Sequence, residues 1–197
     1  MSTPTPRNPT VPIEKIFTER WSPRAFTGEK IDEATLLSFF EAARWAPSSY
    51  NSQPWRFVYA VAGTADWNTL FDLLSDSNKV WARKAGAIVL ILSTPTFKAP
   101  DGSAVQIGSH AFDTGAAWVS FALQATAAGW HAHGIGGFDR ESARRVLSLA
   151  DDMHIQVMAV VGKIGDPATL PDPFKAREKP SNRRPLAETA FRGHLPR

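Results

Sequence analysis

The chain has 197 residues, 43% of them hydrophobic and 21% charged, and it contains no cysteine. Such a composition suits one folded domain with its own core, and it excludes a disulfide scaffold, thiolate catalysis and any cysteine-ligated metal. The net charge is only +3, but residues 175–197 carry seven basic side chains against Glu178 and Glu188, which leaves −2 for everything before them.

The opening run MSTPTPRNPTVP lacks the apolar centre of a secretory leader and reads as a flexible arm over 1–12. No apolar run has the length of a membrane span, so a cytoplasmic location is expected. Residues 13–19 form a short helix in this reading. A longer one covers 32–45, where Leu36, Phe40 and Ala43 recur at helical spacing and Leu37 and Phe39 widen the face. Pro47 stops it, and Pro54 bars helix at Gln53, so the polar residues of APSSYNSQP are held in a short loop. Residues 55–61 alternate weakly and are rich in strand formers. Two helical stretches follow, at 66–75 and 78–84. Then GAIVLILS, 86–93, is an uninterrupted apolar run typical of a strand covered on both faces.

Residues 94–108 read as a loop, with Pro95, Pro100 and the Asp101-Gly102 turn signal. The longest helix is placed at 109–130 and is unusually rich in Ala and Gly, which lets another backbone come close. A strand at 130–135, a helix at 140–149 and a last strand at 155–163 complete the pattern, and the prolines beyond it give an extended arm. No repeat or linker divides the chain, so one domain is expected over 13–174, with a basic arm at 175–197. Strands mixed with helices argue an α+β sheet covered by helices.

Several motifs have chemistry in reach. Arg20-Trp21-Ser22-Pro23-Arg24 places two guanidiniums and a hydroxyl on non-helical backbone, able to converge on one anion or simply to decorate a turn. Asn182-Arg183-Arg184 supplies a second basic pair that suits phosphate, nucleic acid or a solvated terminus. The tail has only Phe174 and Phe191 as stacking aromatics, far apart, which argues against nucleic acid. Gly134, Gly136 and Gly137 follow a strand and precede a helix, where backbone amides can approach a ligand, but the spacing is not that of a dinucleotide fingerprint. His131 and His133 share a face without further metal ligands in view, and Ser48 and Ser49 lack a nucleophile-elbow context.

Together these pieces resemble the FMN-dependent nitroreductase family. The resemblance rests on Arg20-x-Ser22-x-Arg24-Ala25-Phe26, then Ala46-Pro47-Ser48-Ser49-x-Asn51-Ser52-Gln53-Pro54-Trp55, then Gly134-Ile135-Gly136-Gly137-Phe138-Asp139, then Arg183-x-Pro185-Leu186. It implies a mixed, mostly antiparallel sheet flanked by helices, in an intertwined homodimer whose C-terminal arms complete two interfacial FMN sites. Arg20, Ser22 and Arg183 would contact the phosphate and ribityl chain, and Arg24 the N1/O2 edge of the ring. Asn78 would face the pyrimidine. Ile135 would border the ring, the Gly136 N–H would point at N5, and Gly137 would supply the next amide. Pro47, Ser48, Ser49 and Asn51 would reach the FMN held mainly by the other subunit.

The implied activity is ping-pong hydride transfer from NADH or NADPH, through flavin N5, to a small flat acceptor: a nitroaromatic, quinone or activated alkene. Tyr50, Trp81 and Phe97 are candidates for the acceptor pocket, with residues 94–108 as a lid. No metal, nucleic-acid or membrane partner is expected. A relative of the same fold that stores, senses or consumes flavin is the alternative. Two departures stand out. Trp81 occupies a position that is often basic in the family, and Gly134 one that is frequently proline.

Overall fold

The computed structural model describes residues 7–196; the first half of the predicted N-terminal arm and the terminal Arg197 lie outside the described residues. Its centre is β2 (Ala87–Ser93), in which all seven residues are buried. A strand apolar on both faces must be flanked on both edges and covered above and below. β1 (Trp55–Val61) pairs along one edge and β6 (His154–Gly162) along the other, and β5 (His131–Ile135) pairs outside β6. The order is β1-β2-β6-β5. Every pairing in this sheet among the described residues is antiparallel.

The alternation along β2 divides the core in two. Val89 and Ile91 face one layer with Leu36, Phe39, Ala117, Phe121 and Ala125. These come from α2 (Glu33–Arg44) and α5 (His110–Ala127), whose Phe39 and Phe121 rings meet edge to face at 5.6 Å. Ile88, Leu90 and Leu92 face the other layer, with Leu70, Trp81, Ala82 and Ala143. That layer holds α3 (Trp67–Phe71), α4 (Asp76–Ala82) and α6 (Arg140–Val146). The first helix among the described residues, α1 (Ile16–Glu19), is a single turn, and α7 (Asp172–Lys175) begins the tail.

Two sequence expectations need correction. The 94–108 segment contains a hairpin of β3 (Thr96–Lys98) and β4 (Ala104–Gln106), turned at Gly102 with φ +83°. Three-residue strands with exposed ends give no alternation to detect. The 66–75 helix stops at Phe71, because the Ser75 N–H is drawn to the Gly137 carbonyl (3.1 Å) and Leu74 bridges Phe138.

The second core layer closes tightly over Phe26. A Cβ on Gly162 would lie 2.5 Å from the Phe26 ring. Gly162→Ala should therefore destabilise the fold by about 1–3 kcal/mol, read as a lower urea midpoint at unchanged slope.

Candidate functional site

Residues 20–24 run beside β5, and the structure places most of the predicted residues along this line. At its start, three guanidiniums gather. Arg20 follows α1 and points Nη1 toward Ser22 Oγ (3.4 Å). Arg7 sends Nη1 to the carbonyls of Arg20 (2.7 Å) and Thr18 (3.2 Å). Arg183, from the tail, lines a groove of about 860 Å³ that Arg7, Val11, Phe17 and Leu186 also border. Burial first and Arg183 second depress the pKa of both Arg7 and Arg20. Among the described residues none of the three has a carboxylate within 4.0 Å. The Arg7 Nε is buried with no partner. A donor set of this kind suits a polyanion such as phosphate.

Arg24 is held differently. Its guanidinium lies 5.8 Å from the Trp81 ring centroid and 5.9 Å from that of Phe174. The Glu178 Oε1 accepts from the backbone N–H groups of Arg24 (2.7 Å) and Ala25 (2.8 Å), which ties the tail to this segment. Burial lowers the Arg24 pKa, the Glu178 charge opposes that, and Arg177 adds to it. Trp81 is 3% exposed and packs on Phe26 and His133, so in this chain it is a floor beneath Arg24 rather than a free pocket wall. An aromatic face is a fitting neighbour for a cation.

Two histidines on β5 brace the line. His133 is 8% exposed, and its Nδ1–H donates to the Pro23 carbonyl at 2.8 Å. Burial is the main reason its pKa falls to about 4, partly offset by that bond and lowered further by Arg24. His131 is held at about 4 by burial and then by Arg20. Both are neutral in the fold at pH 7, where unfolded histidine is also mostly neutral. Stability is thus complete above pH 6.5 and falls as pH drops from 6.5 to 4, because the unfolded chain takes up protons that the folded chain refuses. Each histidine contributes a slope of up to about 1.4 kcal/mol per pH unit. Urea titrations of the apoprotein at pH 7, 6 and 5 should show this decline, and His133→Gln should flatten it by about one proton.

At the far end of β5, past buried Ile135, Gly136 is exposed, and no atom lies within 4 Å of where its Cβ would be. Asn78 of α4 donates Nδ2 to the Gly137 carbonyl (2.9 Å) and to Ser75 Oγ (3.1 Å). A Cβ on Gly137 would meet Asn78 Nδ2 at 2.8 Å, so a larger residue there would displace the Asn78 amide. Asn78, Gly136 and Gly137 form one ledge.

The loop before β1 stands elsewhere. It is fixed by the buried Asp113 of α5, whose Oδ2 accepts from the Ser49 N–H (3.1 Å) and Ser109 Oγ (3.0 Å). Ser48 Oγ accepts from the Gln53 N–H (3.0 Å). Tyr50, Asn51 and Gln53 all have φ near +50°, a costly arrangement for residues other than glycine that recurs at ligand clamps. Pro47 and Asn51 are exposed, and Tyr50, 82% exposed, stacks on Phe97 of the hairpin at 6.3 Å. Three strand spacings, about 14 Å, separate the edge that this loop enters from the edge that carries Gly136. One chain therefore does not bring Ser48, Ser49 and Asn51 to the β5 line.

The sequence reading did not single out Arg7, Asp113 or Glu178, and it weighed His133 only as a metal ligand. Asp113 had a signal, as an acid inside an Ala-rich apolar helix is rarely buried without a partner. Glu178 had a weaker one, as an acid between two basic neighbours. Arg7 had none.

The nitroreductase family model matches residues 17–80 and 70–163. This chain belongs to the nitroreductase family. A crystal structure described as an oxidoreductase containing FMN superposes with a TM-score of 0.93 at 38% identity, over 100% of this chain and 99% of that one. A nitroreductase-type structure in complex with FMN from Desulfovibrio desulfuricans has a TM-score of 0.72 at 22% identity, covering 92% and 96% of the two chains, and it shares the fold. A Streptomyces coelicolor protein with a provisional NADH dehydrogenase/NAD(P)H nitroreductase name is 39% identical over 91 residues, 46% of this chain and 45% of the relative. Nitroreductase NfnB of Mycolicibacterium smegmatis is 41% identical over 70 residues, 33% of this chain and 30% of its own. The matched stretches span less than half the length of these curated members of the nitroreductase family.

Proposed function

We propose that this member of the family is an FMN-dependent oxidoreductase. NADH or NADPH would reduce it, and a small flat acceptor (a nitroaromatic, a quinone or an activated alkene) would then take the same place. One observation carries this reading. A cluster of uncompensated guanidiniums lies beside the start of β5, and an exposed glycine ledge lies past its end, five extended residues or about 17 Å away. That is the layout for a molecule with an anionic tail and a planar head. The residues fit FMN: Arg20, Ser22 and Arg183 would hold the phosphate end, and Asn78, Ile135, Gly136 and Gly137 the ring.

FMN, when bound, supplies a hydride-accepting N5, so no acid–base side chain is needed. The protein's part is to position and to tune. The Gly136 N–H orients the reacting edge, and Arg24 favours negative charge on the opposite one. Arg24→Ala should lower the potential of bound FMN by tens of millivolts, since a close guanidinium contributes up to about 4 kcal/mol and roughly 30 mV corresponds to 1.4 kcal/mol for two electrons. Redox titration of the loaded protein measures this, and an unchanged potential removes the role.

The 47–53 loop would reach the site of a second copy. Supporting this, α5 leaves Phe112 (82% exposed) and Val119 (47%) uncovered on one face. All residues from 181 to 196 are exposed in the protomer despite Leu186, Phe191 and Leu195 among them. An apolar stripe and an apolar-studded arm are natural partners for another copy.

The deciding experiment is a visible spectrum of purified protein, incubated with FMN and desalted, before and after anaerobic NADH and NADPH. A flavin band that bleaches supports the reading. Protein that retains no flavin, or retains it unbleached by either nucleotide, defeats it.

A further inference from the structure

Arg7 opens the described part of a Pro- and Thr-rich arm, in which residues 7–12 form no helix or strand, yet its side chain reaches the proposed cofactor end of the molecule. Its Nη1 closes the end of α1 by donating to the Thr18 and Arg20 carbonyls. That contact alone would be a structural tie. It does not explain why a third guanidinium is brought beside Arg20 and the Arg183 groove, where burial first and Arg183 second lower the pKa of both Arg7 and Arg20. Nor does it explain a buried Nε–H with no acceptor. Gathering like charges costs stability unless an anion joins them. A phosphate monoester, with a charge of about −1.5 to −2 at neutral pH and three acceptor oxygens, answers both features.

We propose that Arg7 is a further ligand of the cofactor phosphate, and that the bound phosphate clamps the N-terminal arm across the groove to Arg183. This rests on the FMN reading above and adds a residue and a coupling to it. The same groove borders Arg7, Asn182 and Arg183, so one dianion there ties the arm at each end of the chain to the α1 turn. Arm order and cofactor loading become one equilibrium: a ligand that carries the phosphate fixes the arm, and one that lacks it does not.

FMN and riboflavin separate the phosphate from the ring. Apoprotein of the wild type, Arg7→Ala and Arg7→Lys is titrated with each flavin by fluorescence quenching, with thermal unfolding of each apoprotein recorded alongside. Arg7→Ala should weaken FMN by about 10- to 100-fold, the loss expected for one charge-assisted partner, and leave riboflavin within about two-fold. Arg7→Lys, which keeps the charge without the fork, should recover part of the FMN affinity. In the wild type, tryptic cleavage after Arg7, followed by mass spectrometry, should slow with FMN and not with riboflavin. Equal losses for both flavins would make Arg7 a structural tie only and overturn the proposal, as would unchanged FMN binding in Arg7→Ala or FMN-independent cleavage. A wild type that binds riboflavin and FMN equally also overturns it. If the wild type binds neither flavin, it is the FMN reading itself that fails.

Discussion

Gly136→Pro should reduce NAD(P)H-driven turnover at least 100-fold while FMN affinity changes by less than about ten-fold. The magnitude is that of deleting one preorganised backbone donor from a reacting centre. The substitution is unusually clean here. The β5–β6 ladder ends at the Ile135–Met158 pair, so a proline at 136 removes no pair that the sheet records. Proline forces its predecessor into extended backbone, and Ile135 is already in a strand. Gly136→Ala is the control: open space surrounds the new Cβ, and φ lies outside the left-handed range, so the fold should accept it. Steady-state oxidation of NADH and NADPH with a quinone, alongside flavin titration, checks both variants. Near-normal turnover by Gly136→Pro would remove the Gly136 amide from the mechanism.

Ending the chain after Pro180 should weaken FMN binding by more than 100-fold and convert the proposed dimer to monomer, with the body still folded. The core clusters draw on nothing beyond Phe174. Glu178, which holds the Arg24 and Ala25 amides, is kept. What is lost is Arg183, one of three guanidiniums at the proposed phosphate site, together with Leu186, Phe191 and Leu195, which stay exposed in the protomer. Removing the proposed phosphate ligand and the proposed subunit contact together should cost more than either alone, because the two share one element. Sedimentation velocity and flavin titration report the two losses separately. Full FMN binding by the truncated chain would show that the phosphate end is complete without the arm.

The fold was largely legible in the amino acids because its strongest signals are local. The GAIVLILS run has one reading as a doubly covered strand, and the structure puts β2 at the centre. Helix 32–45 carried its spacing, and the structure adds a cap at Asp32, whose carboxylate accepts from the Thr35 N–H. Three-residue strands at 96–98 and 104–106 carry no such periodicity, and a helix cut short at Phe71 by a bond to Gly137 depends on a contact distant in sequence. At the candidate site, motif order pointed to Arg20, Gly136 and Arg183, and the family resemblance added Asn78. The residues that brace the 20–24 segment, His133 at the Pro23 carbonyl and Glu178 at the Arg24 and Ala25 amides, act on backbone atoms, and a carbonyl leaves no mark in a sequence. Trp81 is a mixed case. It stood out as a departure, but only its packing on Phe26 and His133 shows that it supports Arg24 from below.

The strand order has a bearing on how the protein is made. β2 finds β1 soon after emerging, but its other edge waits for β6, with Ala87 opposite Val161 and α5, β5 and α6 synthesised in between. At about 5–20 residues per second, that delay is on the order of several seconds to ten or more. Throughout it, a strand of six apolar residues and Ser93 keeps one edge open. Yield in the cell should therefore respond to chaperone supply and growth temperature more than the finished molecule's stability would suggest.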